Sequence, residues 1–399
     1  MLKGEGDMSF TETTRTSWLA RLKNALIGAV IGIVLVVAAI WALVWNEGRS
    51  IKAYRALTEG AGVVVTVSAD EIAPPNEGKL IHISGKVTPD GVPADPEFGI
   101  SAEGAVAIRR EVEMYQWVEK SESRSETKLG GSEETVTTYT YTKEWKSGRE
   151  NSSDFRQPEG HENPEMPVDN QSFAVDSAKV GAFAVSGENV AGLGKQTDLK
   201  LTEEDAGHAE QVLSGTVQLD RGGYYVGLNP SQPRVGDLRI RYSRADLSEA
   251  SFVAAQSGGW LKPYTASNGR EIFLSASGTA SAAEMFDAAQ AENTMIMWLI
   301  RAGGMIGLMV GFSLFFSILG VIADVVPIAG SLVRFGTGMI AFVLTVLVGP
   351  LVIAIGWFAY RPFLSLGLLV VGGLVAFGVV WLRRRSVGGA SPAAPSAAQ

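Results

Sequence analysis

The side chains able to do chemistry are few. His82, His161 and His208 are the three histidines, and cysteine is absent, so thiolate nucleophiles, disulfides and Cys-based zinc sites are excluded. No two histidines stand at the spacing of metal ligands. The closest approach to a ligand pair is His161-Glu162 within GHENPEMP, and a turn residue bonded to its neighbours explains it more simply. His82 falls inside an alternating segment and reads as a strand residue. No G-x-S-x-G elbow, H-E-x-x-H helix, Walker-type loop or G-x-G-x-x-G turn occurs. Carboxylates are plentiful, but acid and base roles depend on environments that a sequence does not display. The expectation is a non-enzymatic chain, with no catalytic, cofactor-binding or metal residue to name.

The other unusual stretch is Arg109–Lys120, RREVEMYQWVEK, where charges alternate with apolar and aromatic residues. Val112, Met114, Gln116 and Val118 share one face at period two, and Glu111, Glu113, Tyr115, Trp117 and Glu119 share the other. A polar loop follows, SESRSETKLGGSEET, turning at Gly130-Gly131. Alternation then resumes over Val136–Trp145, with Tyr139, Tyr141 and Trp145 on one face. Two such runs around a glycine turn predict a β-hairpin. Tyr115 and Trp117 are candidates for cross-strand packing on Tyr139, Tyr141 or Trp145, and the glutamates keep the ribbon soluble.

Further strands are expected near 62–67, 79–87, 172–176, 224–227, 237–243, 251–256 and 271–275. Helices are expected from Thr202 and from Ser281, where Ser281-Ala-Ala-Glu284 fits a capping box.

What must position this hairpin is a membrane anchor. Residues 25–45 carry no charge and suffice to cross the roughly 30 Å hydrocarbon core as a helix. Three later stretches have spanning character: 302–320, within a helix expected over 295–320, then 335–357 and 363–382. Trp41, Trp45, Trp298, Trp357 and Trp381 fall near their ends, where indoles favour headgroups. The expected organisation is a cytoplasmic tail over 1–24, four spans, an extracytoplasmic domain over 46–294 and a disordered tail over 383–399. The fold class is α+β, four transmembrane helices plus a large mostly-β domain between the first and second.

Orientation follows from Arg15, Arg21 and Lys23 before the first span, Arg334 between the second and third, and Arg383–Arg385 after the fourth. Both termini are expected in the cytoplasm. Residues 1–24 carry net +1 and residues 295–399 net +5; with −8 for the whole chain, about −14 remains for 46–294. So acidic a region repels nucleic acid. Gly28 with Gly32, and Gly303, Gly307 and Gly311, form small-residue faces for helix packing or self-association. The spans hold almost nothing ionisable, against an ion or proton pathway.

Ordered pieces along the chain resemble the transmembrane protein 43 family, also called LUMA. They are Asn46-Glu47-Gly48-Arg49, Asn76-Glu77-Gly78-Lys79-Leu80 with Ile81-His82-Ile83, Arg110–Glu119 around VEMYQW, and Tyr141 with Glu144-Trp145. Gly160-His161-Glu162-Asn163-Pro164, Val235-Gly236-Asp237-Leu238-Arg239 and Tyr360-Arg361-Pro362 complete the set. The resemblance implies a four-span membrane organiser that forms oligomers. Animal members lie at endoplasmic reticulum and inner nuclear membranes and contact membrane and lamina proteins. No catalytic residue is implied. The Ala, Gly and Val usage suggests a bacterial member in a plasma (inner) membrane.

The functional expectation is a self-associating scaffold in the lipid bilayer that supports other membrane proteins, without cofactors. The alternatives are a membrane-bound enzyme with an extracytoplasmic site, or a channel or transport accessory subunit.

Overall fold

The computed structural model describes residues 8–213 and 215–360. It divides into two compact units. Of the described residues, one contains those up to Ser17, Ala53–Lys128 and Ser132–Glu292; the other contains Trp18–Lys52, Leu129–Gly131 and those from Asn293 to Tyr360.

The first unit is built on two sheets. The larger has eight strands. Its spine runs from β1 (Met8–Thr16) through the hairpin strand Glu133–Lys146 and its mate Ala107–Thr127 to Leu238–Asp246, then Gly223–Val226 and Val217–Asp220. In chain order we call Leu80–Asp90 β2, Ala107–Thr127 β3, Glu133–Lys146 β4, Leu238–Asp246 β5 and Glu249–Ser257 β6. Ile108, Val112 and Met114 of β3 and Leu238, Ile240 and Tyr242 of β5 turn inward. They bury against Tyr224, Phe98 and the helix Glu203–Val212. That helix starts where Thr202 caps it reciprocally with Asp205.

The second sheet closes on itself. β2 pairs with β6 and with Ser177–Val180, which pairs with Phe183–Ser186; that strand joins Trp260–Lys262, which returns to β6. Ile81, Ile83, Val87, Val180, Phe183, Val185, Phe252 and Ala254 fill the interior. Leu80 and Val253 point outward and are also buried, under Ala56, Leu57, Met285 and Phe286. Covering on both faces explains why Leu80–Ile83 is buried at every position.

The second unit is a bundle of parts of three helices, α1 (Trp18–Val63), α2 (Ala282–Ala323) and α3 (Pro327–Tyr360), each long and apolar enough to cross a membrane. Many of their apolar side chains face outward, among them Ile27, Val34, Leu299, Ile306, Phe335 and Leu347. Three of the four expected spans are thus found among the described residues. The expected fourth span, Phe363–Leu382, and the tail after it lie outside the described residues.

Buried ion pairs mark both ends of this bundle. At one end, Arg301 grips both carboxylate oxygens of Glu47 at 2.7 and 2.9 Å, the Trp357 indole donates to the same carboxylate at 2.8 Å, and Asn46 donates to the Met297 carbonyl. At the other end, Asp324 accepts from Arg21 at 2.6 Å and from Arg334. Along α1, Arg21 to Glu47 is 26 residues, about 39 Å; along α3, Arg334 to Trp357 is about 35 Å. Those spans match a hydrocarbon core of about 30 Å with a margin at each side. Each charge is matched where it sits, which permits burial of groups that otherwise demand water.

Three boundaries differ from the sequence expectation. Residues 8–16, placed in a tail, form a strand, and α1 starts at Trp18 and continues past residue 45, because Asn46 and Glu47 are satisfied inside the bundle. Residues 121–127, read as loop, continue β3, since a polar strand forms readily when its main chain is paired. Leu129–Gly131 at the hairpin tip belong to the bundle, where the Gly131 carbonyl accepts from Arg21 at 2.6 Å and the Gly130 amide donates to Val325.

Candidate functional site

The distal half of the hairpin and β1 form a three-stranded ribbon, rich in serine and threonine. β1 lies antiparallel to β4 from Met8↔Tyr141 to Thr16↔Glu133, and β4 lies antiparallel to β3 from Met114↔Lys146 to Thr127↔Glu133. Hydroxyl groups meet across the strands, Ser123 with Thr137 at 2.9 Å and Ser125 with Thr135 at 2.8 Å. Such pairs let a strand persist with little apolar burial.

One face of the ribbon carries the aromatic residues. Tyr115 packs on Trp145 directly across, with centroids 5.3 Å apart. Trp117 faces Lys143, whose ammonium lies 4.6 Å from the ring centroid, and meets His161 edge-on at 4.7 Å. His161 stacks on Tyr141 at 4.0 Å and Tyr139 stacks on Phe10 of β1 at 6.2 Å. The structure thus joins Tyr115 to Trp145 and links Trp117 to Tyr141 through His161. Tyr139 instead lies opposite Ser121 and turns to the N-terminal strand. Arg239 covers Trp145 from the far side, 3.9 Å from its centroid.

Tyr141 is the polar hub of this face. Its hydroxyl donates to Glu119 at 2.7 Å and accepts from the Gln157 amide at 3.0 Å. Burial, reinforced by the neighbouring Glu119 carboxylate, pushes its phenol up to about 12. His161 is 5% exposed and its Nδ1 lies 2.9 Å from the Gln157 carbonyl, which suits the Nδ1–H tautomer. It is a packed structural residue beside Tyr141.

The outer edge of β3 is managed in two ways. The Tyr115 amide donates to the Asp237 carbonyl, and the Tyr115 carbonyl accepts from the Gly236 amide. Two residues on, the Asn163 side chain takes both groups of Trp117, accepting from its amide at 2.8 Å and donating to its carbonyl at 2.9 Å. Since antiparallel rungs alternate, the main chain of Glu119, Ser121, Ser123, Ser125 and Thr127 also faces that edge. Among the described residues no strand pairs there. β1, with Ser9, Thr11, Thr13 and Arg15 facing out, has a second open edge.

Other polar clusters are internal. Asp95 is fully buried, accepting from Arg110 at 2.7 Å and from the Tyr242 hydroxyl at 2.7 Å, while Glu97 takes the same Arg110 nitrogen. Burial pulls the Arg110 guanidinium down, but Asp95, Glu97 and Tyr242 outweigh it and hold it raised; burial and Asp95 raise Tyr242 as well. His82 contacts the Ala280 carbonyl at 2.8 Å, tying β2 to the chain before α2. The wet face of β3 and β5 holds a cavity of about 260 Å³ lined by Arg109, Glu111, Glu113, Arg239 and Arg241, a lattice of mixed charge. Among the described residues no three His, Asp or Glu side chains group as a metal ligand set.

The glycine faces pack helix on helix. A Cβ at Gly32 would lie 2.5 Å from the Gly311 carbonyl, one at Gly311 would meet Val36, and Gly307 faces Ala39. Gly28 reaches only Leu314 at 3.9 Å, and Gly303 has no neighbour there within 4 Å; Gly304, against Leu43, takes its place. The repeat that packs is 304, 307 and 311, following helical rather than strict four-residue spacing. Sequence reasoning noted Glu47 and Trp357 separately and missed that Arg301 and Trp357 meet on the Glu47 carboxylate. The signal available was a Glu and an Arg just beyond the apolar stretches.

Comparison with known proteins now bears on these features. A family model described as Transmembrane protein 43 matches residues 114–362, from the middle of the hairpin strand through α3. Human Transmembrane protein 43 is 32% identical over 385 residues, covering 94% of each chain. The chain belongs to the transmembrane protein 43 family. The mouse protein of the same name is 32% identical over 387 residues, with 94% of each chain covered. The Drosophila melanogaster homolog is 29% identical over 393 residues, 95% of this chain and 98% of that one. No solved structure matches. The family match takes in most of the hairpin, β5, β6 and the helices α2 and α3.

Proposed function

We propose that this chain is a non-enzymatic membrane scaffold that self-associates and supports other membrane proteins in a bacterial inner membrane. The observation that carries the reading is the ribbon. Among the described residues, no strand pairs with the outward main-chain groups of Ser9, Thr11, Thr13 and Arg15 in β1, or with those of Glu119, Ser121, Ser123, Ser125 and Thr127 in β3. Exposed edges are normally blunted by proline, bulges or covering segments, because they template pairing with another chain. This molecule shows that it can cover an edge, through Asn163 at Trp117, and stops doing so at Glu119. The serine, threonine and charged side chains of residues 119–127 keep the open edge soluble until a partner arrives.

The test is the mass of the intact protein extracted in several mild detergents, by native mass spectrometry or light scattering. An oligomer across detergents is the expected result. A clean monomer in all of them would overturn the reading.

A further inference from the structure

We propose that copies join head to tail through the ribbon, the outer edge of β1 in one copy pairing in parallel with the outer edge of β3, residues 119–127, in the next. The proposal rests on the self-association reading and specifies its geometry. Both β1 and β3 run antiparallel to β4, so they are parallel to each other, at opposite sides of the same ribbon. A second copy placed beside the first in the same sense therefore presents β3 to β1 without inversion. The two open stretches are equal in length and lie at the same height, because β4 sets the register of both.

Side chains at that height are compatible. On the aromatic face, an unshifted register sets Phe10 beside Ser121, Glu12 beside Ser123, Thr14 beside Ser125 and Thr16 beside Thr127. On the opposite face it sets Thr11 beside Glu122, Thr13 beside Arg124 and Arg15 beside Glu126. No like charges meet, and Arg15 gains a carboxylate. Small serines on the β3 side leave room for Glu12, which Arg156 holds within its own copy. A contact of β1 with β1 would leave the β3 edge uncovered in both copies; the head-to-tail contact covers both edges with one interface. Such heterologous contacts repeat, and where the rotation closes they form a ring with no free edge.

The chain has no cysteine, so cysteines can be placed singly or in pairs in the full-length protein in membranes. Thr14→Cys combined with Ser125→Cys puts both thiols on one face at one height, and Ser121→Cys and Ser123→Cys scan the register. Mild oxidation of one of the double variants should give a ladder of dimers, trimers and higher species on denaturing gels. Neither single variant should give more than a trace of dimer. Thr13→Pro removes an outward amide while leaving the β1–β4 ladder intact, and it should abolish the ladder in the best double variant. Dimers from Thr14→Cys alone would show β1–β1 pairing and overturn the proposal. No cross-link from any pair, in a protein whose native mass is still oligomeric, would overturn this interface while leaving self-association standing. A monomeric native mass would remove both.

Discussion

The two sheets of this protein treat their edges in opposite ways. The smaller one closes through β2, β6 and three short strands, and its interior is filled by Ile81, Ile83, Phe183 and Phe252, all fully buried. The distal ribbon has the same strand geometry, and nearly every side chain along β4 is only partly covered. In the closed sheet, stability comes from apolar burial. In the ribbon it comes from main-chain pairing, hydroxyl rungs and a row of aromatic rings. A ring of strands closed around a filled apolar interior has finished assembling; a polar ribbon whose two long outer edges meet no strand among the described residues has not.

The sharpest break of this contrast is in the closed sheet. Phe252→Ala should cost about 3–5 kcal/mol, the transfer of a buried ring plus the cavity it leaves. Denaturant unfolding followed by hydrogen exchange at β2 and β6 measures it, and a cost below that of the ribbon changes would undo the comparison. Of similar size is Arg110→Met, which strands the buried Asp95 carboxylate and should cost about 3–5 kcal/mol. Restoration of most of that stability by Asp95→Asn in the same chain would confirm that the unpaired charge, rather than lost packing, is responsible.

Within the ribbon the effects shrink. Trp117→Ala removes a ring half exposed to solvent, its edge contact with His161 and the Lys143 ammonium over its face, and should cost about 1–2 kcal/mol. Membrane insertion should be unchanged; protease sensitivity of residues 115–145 is the readout, and an unaltered pattern would show the aromatic row to be idle. Tyr141 adds a pH signature. Its phenol is raised from 10.0 to about 12, so its contribution is present in full below pH 10 and is lost as pH rises to about 12. Tyr141→Phe should flatten the alkaline fall in ribbon protection; an unchanged profile would remove Tyr141 from the hub. Smallest of all, Ser123→Ala deletes one hydroxyl rung and should change folding stability by about 0.2–1 kcal/mol.

Particular residues show how far the sequence could be read. The period-two run from Val112 to Val118 placed its two faces correctly because an inward apolar row is chemically distinct from an outward charged one. Thr202 and Ser281 announced their helices because capping is local: Asp205 and Glu284 lie three residues away and need no tertiary partner. Residues 8–16 and 121–127 carried no such signal. Their threonines and serines are equally at home in a loop, and only pairing with β4 makes them strands. The glycine repeat was visible, but its register was not, since Gly303 and Gly304 differ only in which side of α2 faces Leu43.

By itself the sequence determined the apolar spans described as α1, α2 and α3, the charge asymmetry, the family and the existence of a hairpin, because each depends on composition or on spacing within one segment. The tertiary structure alone decided what is brought together from 15 to 303 residues apart: Glu47 with Arg301, Asp324 with Arg21, Asp95 with Arg110 and Tyr242, and β1 with β4. The reason is physical. A polar side chain in a sequence is satisfied by water in any conformation, and only the folded chain determines which partner replaces that water, or whether, as along the outer edges of β1 and β3, no strand among the described residues does.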